Sequence, residues 1–274
     1  MERFVNVPGG RLFAISDGNG PPVVLAHAAI TNLHSWDAMI PGLLSAGFRV
    51  VRYDQRGFGA STTEDVDYAS QTDLLAVLDA FDIGRAAIVG NSRGGYLAID
   101  AAIEYPARVV AVVALGAGPG GFDGGATPEE QALFEQGERL ESAAPRDPDA
   151  ISDLLVRIWV DGPGGPPGRA DSAIREKIRA DVRALYQPGH VAGRRTALEP
   201  PANDRLGELR CPVVAVAGGL DFTYAVESAH RLVEAAPNAR AVVWPDVAHM
   251  IGMEAPDRLN ALIADFLAPL RPWQ

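Results

Sequence analysis

Short runs of apolar, often β-branched residues alternate along the chain with longer stretches in which apolar residues recur every three or four positions. The short runs are typical of buried strands, and the longer stretches have the periodicity of amphipathic helices. Eight strands are predicted, at 4–7, 11–16, 23–25, 49–53, 86–89, 109–115, 213–217 and 241–244. Helices are predicted at 70–81, 96–105, 225–236 and 256–267. This alternation indicates βαβ units and a largely parallel sheet.

The alternation breaks after the sixth predicted strand. Three helical patterns follow it, at 128–140, 148–160 and 172–186. A Gly/Pro-rich break at 161–167 separates the second pattern from the third. A helical block between two strands of a sheet is expected to lie as a lid over the strand ends. We therefore expect a core domain, residues 1–118 and 207–274, and a helical cap, residues 119–206.

Composition narrows the partners that the chain is expected to have. With 47% hydrophobic and 22% charged residues, the chain is typical of a globular protein. Its formal net charge of −11 disfavours binding to nucleic acid. A single cysteine, Cys211, excludes an intrachain disulfide and a Cys-x-x-Cys metal site. No signal-peptide pattern or bilayer-length apolar run is seen, so we expect a cytoplasmic protein without a membrane partner; a homodimer is left open.

The strongest chemical signal is the sequence Gly90-Asn91-Ser92-Arg93-Gly94, which matches G-x-S-x-G. It lies between a predicted strand and a predicted helix, the context in which this motif forms a nucleophile elbow. Such a turn holds the serine in a strained conformation that only small neighbours tolerate, and it projects the hydroxyl at the end of the strand. Ser92 is therefore the candidate nucleophile. The alternative is a glycine-rich turn with an incidental serine.

A serine hydroxyl needs a base to take its proton. Of the five histidines, His249 alone follows the last predicted strand, at the sheet edge where Ser92 is expected. Asp221 follows the preceding strand at the same edge, and the chain order Ser…Asp…His fits a catalytic triad. Asp123, in the loop after the sixth strand, is the alternative acid. The remaining histidines considered are expected to be structural or solvent-facing: His34, His190 and His230.

Two backbone N–H groups are needed to stabilise the oxyanion of an acyl-transfer reaction. The N–H of Arg93 is one candidate, and Ala29, in the loop after the third strand, is the other; the alternative is a loop with incidental alanines. His27 in this loop is expected to brace it and is also a candidate for contact with substrate. In the cap, Trp159 and Leu155 are predicted to line an apolar pocket, although the same spacing would serve packing onto the core.

Taken together, these features resemble the α/β-hydrolase family. The resemblance is carried by the elbow, by the His27 loop with Trp36 shortly after it, and by Asp54-Gln55-Arg56-Gly57-Phe58-Gly59-Ala60-Ser61, which is similar to the family's D-x-R-G-x-G-x-S turn. It implies an α/β-hydrolase fold: a mostly parallel eight-stranded sheet flanked by helices, with a helical cap inserted after strand 6. It also implies a triad of Ser92, Asp221 and His249, and no cofactor or metal.

The chain departs from the family pattern at two positions. Ala28 follows His27 where relatives usually have glycine, and Arg93 follows the nucleophile where many relatives have an apolar residue. An internally paired arginine is one interpretation of Arg93, and contact with an acidic group of the substrate is the other.

The residues and the resemblance predict hydrolysis of a small-molecule carbonyl substrate through an acyl-enzyme on Ser92. A carboxylic ester is the expected bond, followed by a lactone or an amide. Two alternatives stay open: a C–C bond hydrolase acting on a diketone, and a ligand receptor with slow turnover on the same scaffold. A serine nucleophile argues against haloalkane dehalogenation and epoxide hydrolysis, because family members with those activities resemble each other in using aspartate.

Overall fold

A computed structural model describes residues 1–273. Its eight longer strands are β1 Glu2–Val7, β2 Gly10–Asp17, β3 Pro22–Ala26, β4 Arg49–Tyr53, β5 Ala86–Asn91, β6 Val109–Leu115, β7 Val213–Gly218 and β8 Ala239–Trp244. These strands form one sheet in the spatial order β1-β2-β4-β3-β5-β6-β7-β8. β2 runs antiparallel to β1 and β4, and the other neighbours are parallel. The predicted mostly parallel, eight-stranded sheet is confirmed.

Helices cover both faces of the sheet. The core helices are α1 Ile40–Ser45, α2 Ser70–Ala80, α3 Arg93–Glu104, α7 Thr223–Ala235, α8 Ile251–Glu254 and α9 Pro256–Leu267, with 3₁₀ turns at Leu33–Met39, Ala202–Glu208 and Ala268–Leu270. Alternate strand residues enter two separate cores: Val24 packs with Leu97 of α3 on one face, and Val23 packs with Ile263 of α9 on the other. Because both faces are covered there, the four central strands β3, β5, β6 and β7 are buried at every position.

Three helices lie between β6 and the last 3₁₀ turn before β7. They are α4 Pro128–Ser142, α5 Pro148–Trp159 and α6 Ser172–Leu185. Ile151 of α5 and Ile178 of α6 share an apolar cluster with Ala28, Phe222 and Met250 of the core. The helices therefore rest on the loops that leave the carboxyl ends of β3, β7 and β8. The boundaries of a separate cap domain stay a prediction.

The segment between β6 and β7 also contains a short strand, where the sequence predicts only helices. Arg194–Arg195 forms a two-residue strand that pairs in parallel with Asp67–Tyr68. Two residues are too few to show a period of two in the sequence. A further two-residue strand, Thr62–Thr63, pairs with β2 and brings the main sheet to nine strands.

Residues 1–273 contain neither a candidate membrane span nor a cluster of metal ligands. No helix in that range combines the length and the apolar character needed to cross a bilayer. No three His, Cys, Asp or Glu side chains there are placed to hold a metal ion together. The single cysteine, Cys211, is buried.

Candidate active site

Ser92 occupies the sharp turn from β5 into α3, with φ 51° and ψ −114°. Residues with a β-carbon rarely adopt this conformation, so the backbone is strained there. Hydrogen bonds close the turn: the N–H of Ser92 donates to the carbonyl of Leu115 over 2.8 Å, and the N–H of Gly95 donates to the carbonyl of Ser92 over 2.8 Å. The half-buried serine thus lies at the carboxyl edge of the sheet.

Close approach of backbones explains the glycines of the elbow. A Cβ on Gly90 would lie 2.0 Å from the carbonyl oxygen of Gly94, and a Cβ on Gly94 would lie 2.0 Å from that of Ala26. A Cβ on Gly95 would lie 2.4 Å from the Cβ of Ala117. Each distance is far below contact, so α3 can begin directly against the ends of β3 and β5 only because these residues have no side chain.

His249 and Asp221 form a buried, directly hydrogen-bonded pair. Nδ1 of His249 lies 2.7 Å from Oδ2 of Asp221, and the two residues are 5% and 7% exposed. Oδ1 of Asp221 accepts the N–H of Phe222 over 2.8 Å, which fixes the carboxylate. A carboxylate at Nδ1 holds the proton there, so Nε2 of the neutral imidazole is left as the proton acceptor.

The loop that carries His249 is tied to the elbow. The side-chain amide of Asn91 donates to the carbonyl of His249 over 3.1 Å. On the other side of His249, the carboxylate of Glu254 accepts the N–H of Ala248 over 3.0 Å. Ser92 and His249 are therefore held at neighbouring backbone positions, although no hydrogen bond joins the Ser92 hydroxyl to the imidazole within the described residues.

Gly116, the first residue after β6, makes room for the pair. Its φ is +53°, and a Cβ there would lie 2.9 Å from Nδ1 of His249 and 3.1 Å from Oδ2 of Asp221. Gly116 and Asn91 were not predicted from the sequence. Asn91 stands at a variable position of the elbow motif, and Gly116 follows an apolar run without any local signal, because both act on a loop more than 130 residues further along the chain.

The proposed oxyanion donors lie beside each other in the topology. Ala26 of β3 is the parallel partner of Gly90 of β5, so the loop after β3 and the elbow leave the sheet side by side. Arg93 is the first residue of α3, and its N–H has no acceptor within the helix. Ala29 is exposed in the neighbouring loop, and its N–H has no acceptor among residues 1–273.

His27 braces the loop that contains Ala29. The ring is completely buried; its Nδ1 lies 2.8 Å from the carbonyl of Ala28, and its Nε2 accepts the N–H of Gln55 over 2.9 Å. Burial lowers the pKa of His27 from 6.5 to about 3, so the ring is neutral. The bracing interpretation therefore holds, and the assignment of His27 to the substrate pocket is corrected, because neither ring nitrogen is left for a substrate.

The two cap residues predicted to line a pocket differ in their surroundings. The half-buried ring of Trp159, the last residue of α5, lies 4.4 Å from the ring of His249 and 4.7 Å from that of Phe222, measured between centroids. Leu155 is buried in the apolar cluster between the cap helices and the core. Trp159 thus touches the candidate base, whereas the contacts of Leu155 are those of a packing residue.

The alternative acids and bases lie elsewhere. Asp123 is exposed in the loop after β6. Asp246, which lies three residues before His249, pairs with Arg258 over 2.9 Å, and His34 pairs with Asp37 over 3.0 Å. The two other histidines are exposed: His190 and His230. Among these residues, only Asp221 and His249 meet.

Arg93 extends its side chain from the elbow toward neutral partners. Its Nε donates to the side-chain oxygen of Gln55 over 3.1 Å, and its Nη2 donates to the hydroxyl of Tyr68 over 2.6 Å. Burial lowers the pKa of the guanidinium, and the charge of Arg195 lowers it further. The internal pairing considered for Arg93 therefore exists, but without a carboxylate.

Comparison with known proteins agrees with this architecture. The family described as the alpha/beta hydrolase fold matches residues 21–256. The chain belongs to the α/β-hydrolase family, and it is an enzyme of the hydrolase class.

Its relatives are named for different substrates. The chain is 28% identical to a 2-hydroxy-6-oxononadienedioate/2-hydroxy-6-oxononatrienedioate hydrolase of Burkholderia vietnamiensis, over 94% of this chain and 88% of that protein. It is 27% identical to epoxide hydrolase B of Mycobacterium tuberculosis, over 99% of both chains. Among solved structures, Est816, described as an N-acyl homoserine lactone degrading enzyme, superposes with a TM-score of 0.74 at 26% identity, covering 96% of this chain and 100% of that one. Membership of the family therefore leaves the bond undetermined.

Proposed function

We propose that this protein hydrolyses a carboxylic ester of a small molecule through an acyl-enzyme on Ser92, with His249 as the base and Asp221 as the acid that orients it. The observation that carries the proposal is the buried 2.7 Å contact between Nδ1 of His249 and the carboxylate of Asp221. The loop that carries His249 is hydrogen-bonded to Asn91, the residue directly before the strained serine. A neutral imidazole held in this way accepts a proton at Nε2.

In the first half of the reaction, Nε2 of His249 takes the hydroxyl proton while Oγ of Ser92 forms a bond to the carbonyl carbon. The carbonyl electrons move to the oxygen, and the N–H groups of Arg93 and Ala29 donate to the resulting oxyanion. When the tetrahedral intermediate collapses, the bond to the alcohol oxygen breaks. The imidazolium returns its proton to that oxygen. The alcohol then departs, and the acyl group stays bound to Ser92 as an ester.

Water completes the cycle. His249 takes a proton from water as the hydroxyl oxygen adds to the acyl carbon, and the oxyanion forms again at the same donors. Collapse breaks the bond to Oγ, the imidazolium protonates the serine, and the carboxylic acid product departs. Throughout, the carboxylate of Asp221 stabilises the positive imidazolium without taking its proton.

Two other bonds have specific support. The likeness to Est816 favours a lactone, which is an internal ester and needs no change in the mechanism. The relative from Burkholderia vietnamiensis favours the C–C bond of a diketone-like substrate, since this chain has the Gly-Asn-Ser-x-Gly-Gly elbow. Epoxide hydrolysis is disfavoured despite the second relative, because the residue at the nucleophile position is Ser92 and not aspartate.

A hydrolysis panel of esters, lactones, amides and diketones, run with wild type and Ser92→Ala, tests the proposal. We expect ester or lactone turnover in wild type and a loss on the order of 10⁴-fold to 10⁶-fold in Ser92→Ala, because removal of a triad serine leaves only binding and the oxyanion hole. A fluorophosphonate probe should label Ser92 alone. Labelling of another serine, or wild-type rates in Ser92→Ala, would contradict the assignment, and turnover that stops near one event per chain would indicate a receptor.

The acid is tested with a matched pair of variants. Asp221→Asn keeps the shape but favours the wrong imidazole tautomer, so kcat should fall on the order of 10⁴-fold. Asp123→Asn, an exposed carboxylate in the loop after β6, should leave kcat near the wild-type value. The reverse ranking would move the acid to the loop after β6.

A further inference from the structure

Arg93 and Arg195 carry charges that no carboxylate within residues 1–273 neutralises by direct contact. Every hydrogen-bond acceptor of the Arg93 side chain is neutral, and its guanidinium also lies 5.4 Å from the ring of Phe58. Neither arginine has a nitrogen within 4.0 Å of a carboxylate oxygen of the described residues, whereas other arginines of the chain do. A half-buried cation without a nearby anion destabilises the folded protein, because burial removes part of its hydration and no opposite charge replaces it.

Arg195 reaches the same place from the other side. It is the parallel partner of Tyr68 in the two-residue sheet, and side chains at partner positions of parallel strands lie side by side. The hydroxyl of Tyr68 contacts Arg93, so the three side chains form one group. Nη1 of Arg195 is buried and has no hydrogen-bond partner within the described residues.

The neighbouring Arg194 shows what a structural arginine does in this strand. It points to the opposite face, is exposed, and pairs with Asp65 over 2.5 Å and with Asp67 over 2.7 Å. Two carboxylates therefore neutralise the outward arginine, and none contacts the inward one. The difference follows from strand alternation and not from a general lack of acidic residues.

The charged groups around this pair leave one positive charge in excess. Asp100 on α3 is buried, and burial raises its pKa to about 6 while the charge of Arg195 acts in the opposite direction. Arg195 acts on this carboxylate by its charge alone and makes no hydrogen bond to it. Glu104 faces Asp100 but pairs with Arg205. Arg56 also lies over the ring of Tyr68, but Asp73 neutralises it by a direct ion pair. The remaining two cations against one nearby carboxylate favour a ligand with a single negative charge over a dianion such as phosphate.

We infer that Arg93 and Arg195 bind a free carboxylate of the substrate beside Ser92, so that the protein acts on esters or lactones that carry a carboxylate group. The planar fork of a guanidinium matches a carboxylate with two parallel hydrogen bonds. Both arginines are half-buried, so each keeps part of its surface exposed. The inference rests on the proposed function for the position of the reacting bond, but the anion subsite itself does not depend on turnover.

A pair of esters of equal length tests the inference: monomethyl glutarate, which carries a carboxylate, and methyl pentanoate, which does not. Wild type should prefer monomethyl glutarate in kcat/KM by at least tenfold, measured as acid release in a pH-stat. Arg195→Gln should reduce this preference by about tenfold to a hundredfold, the range for losing hydrogen bonds to a charged group. Arg194→Gln is the matched control and should leave the preference unchanged.

A binding measurement separates the inference from the proposed function. Calorimetric titration of Ser92→Ala with monomethyl glutarate should show binding that Arg195→Gln in the same background abolishes, whatever the catalytic role of Ser92. Arg93→Met supplies a second variant should Arg195→Gln fail to fold. Equal kcat/KM for the two esters in wild type, an equal loss of binding in Arg194→Gln, or intact binding in both inward-arginine variants would overturn the inference.

Discussion

At the scale of single residues, the candidate base depends on neighbours that exchange no proton. Asn91 holds the carbonyl of His249, and Gly116 provides the space beside Nδ1. Neither residue is expected to touch a substrate, and both act by keeping the imidazole against Asp221. The alignment of a base is sensitive to such contacts, because a misplacement of about 1 Å can cost roughly a hundredfold in rate.

Gly116→Ala tests this dependence directly. The new Cβ would meet Nδ1 of His249 at 2.9 Å, and the residue would have to keep a φ of +53°. We expect kcat to fall by about a hundredfold with little change in KM, since the base moves while the substrate contacts remain. Gly120→Ala is the control, because no atom lies within 4 Å of its added Cβ. Equal kcat in the two variants would show that the space beside the pair is not needed.

At the scale of secondary-structure elements, α6 is attached to the loop of the proposed oxyanion donor by one carboxylate. Asp181 on α6 accepts the hydroxyl of Thr31 over 2.6 Å and the side-chain amide of Asn32 over 2.9 Å. Lys177, one turn earlier, contacts the same carboxylate over 2.8 Å. Thr31 and Asn32 directly follow the segment of Ala29, so the position of α6 and that of the donor loop are linked.

Removing this attachment should affect catalysis more than folding. We expect Asp181→Ala to lower kcat/KM about tenfold, because the donor loop loses the two hydrogen bonds that fix it against α6, while far-ultraviolet circular dichroism stays unchanged. The control is Asp153→Ala, an exposed residue of α5 whose partner, Arg179, belongs to α6. A comparable loss in both variants would mean that the effect is general loosening of the cap helices.

Elements were predictable from the sequence where their signal is local. Each of the eight strands of the sheet has its own apolar run, and the elbow combines a motif with a strand before it and a helix after it. The strand at Arg194–Arg195 was missed because it exists only through pairing with Asp67–Tyr68, over 120 residues earlier. For the same reason, the grouping of Arg93 with Arg195 could not be predicted, although Arg93 itself was singled out.

At the scale of the whole molecule, the buried His27 makes stability depend on pH. Its pKa is about 3 in the folded protein and 6.5 in a typical unfolded chain. Below pH 6.5 the unfolded chain therefore binds a proton that the folded protein does not. By linkage, the free energy of unfolding decreases as the pH falls from 6.5 toward 3, by about 1.4 kcal/mol per pH unit from this group alone.

Urea unfolding at pH 7.5 and pH 5.5 measures this effect. Wild type should lose about 1.4 kcal/mol more than His27→Gln between the two pH values, since only wild type contains the titrating ring. Buried carboxyl groups with raised pKa values, such as Asp54 and Asp73, act in the opposite direction. They are common to both proteins, so the difference isolates His27. Parallel pH dependences would show that the ring is protonated in the folded state.

The strained turn at Ser92 also has a consequence for heat resistance. With φ at 51°, this position suits glycine, and the serine keeps a β-carbon there at a cost of about 1 kcal/mol or more. Ser92→Gly and Ser92→Ala both delete the hydroxyl, but only the glycine variant relieves the backbone. Ser92→Gly should therefore melt about 2 °C above Ser92→Ala. The residue proposed to do the chemistry therefore holds its backbone in a conformation that lowers the thermal stability of the protein, so the conflict between activity and heat resistance lies in one dihedral angle.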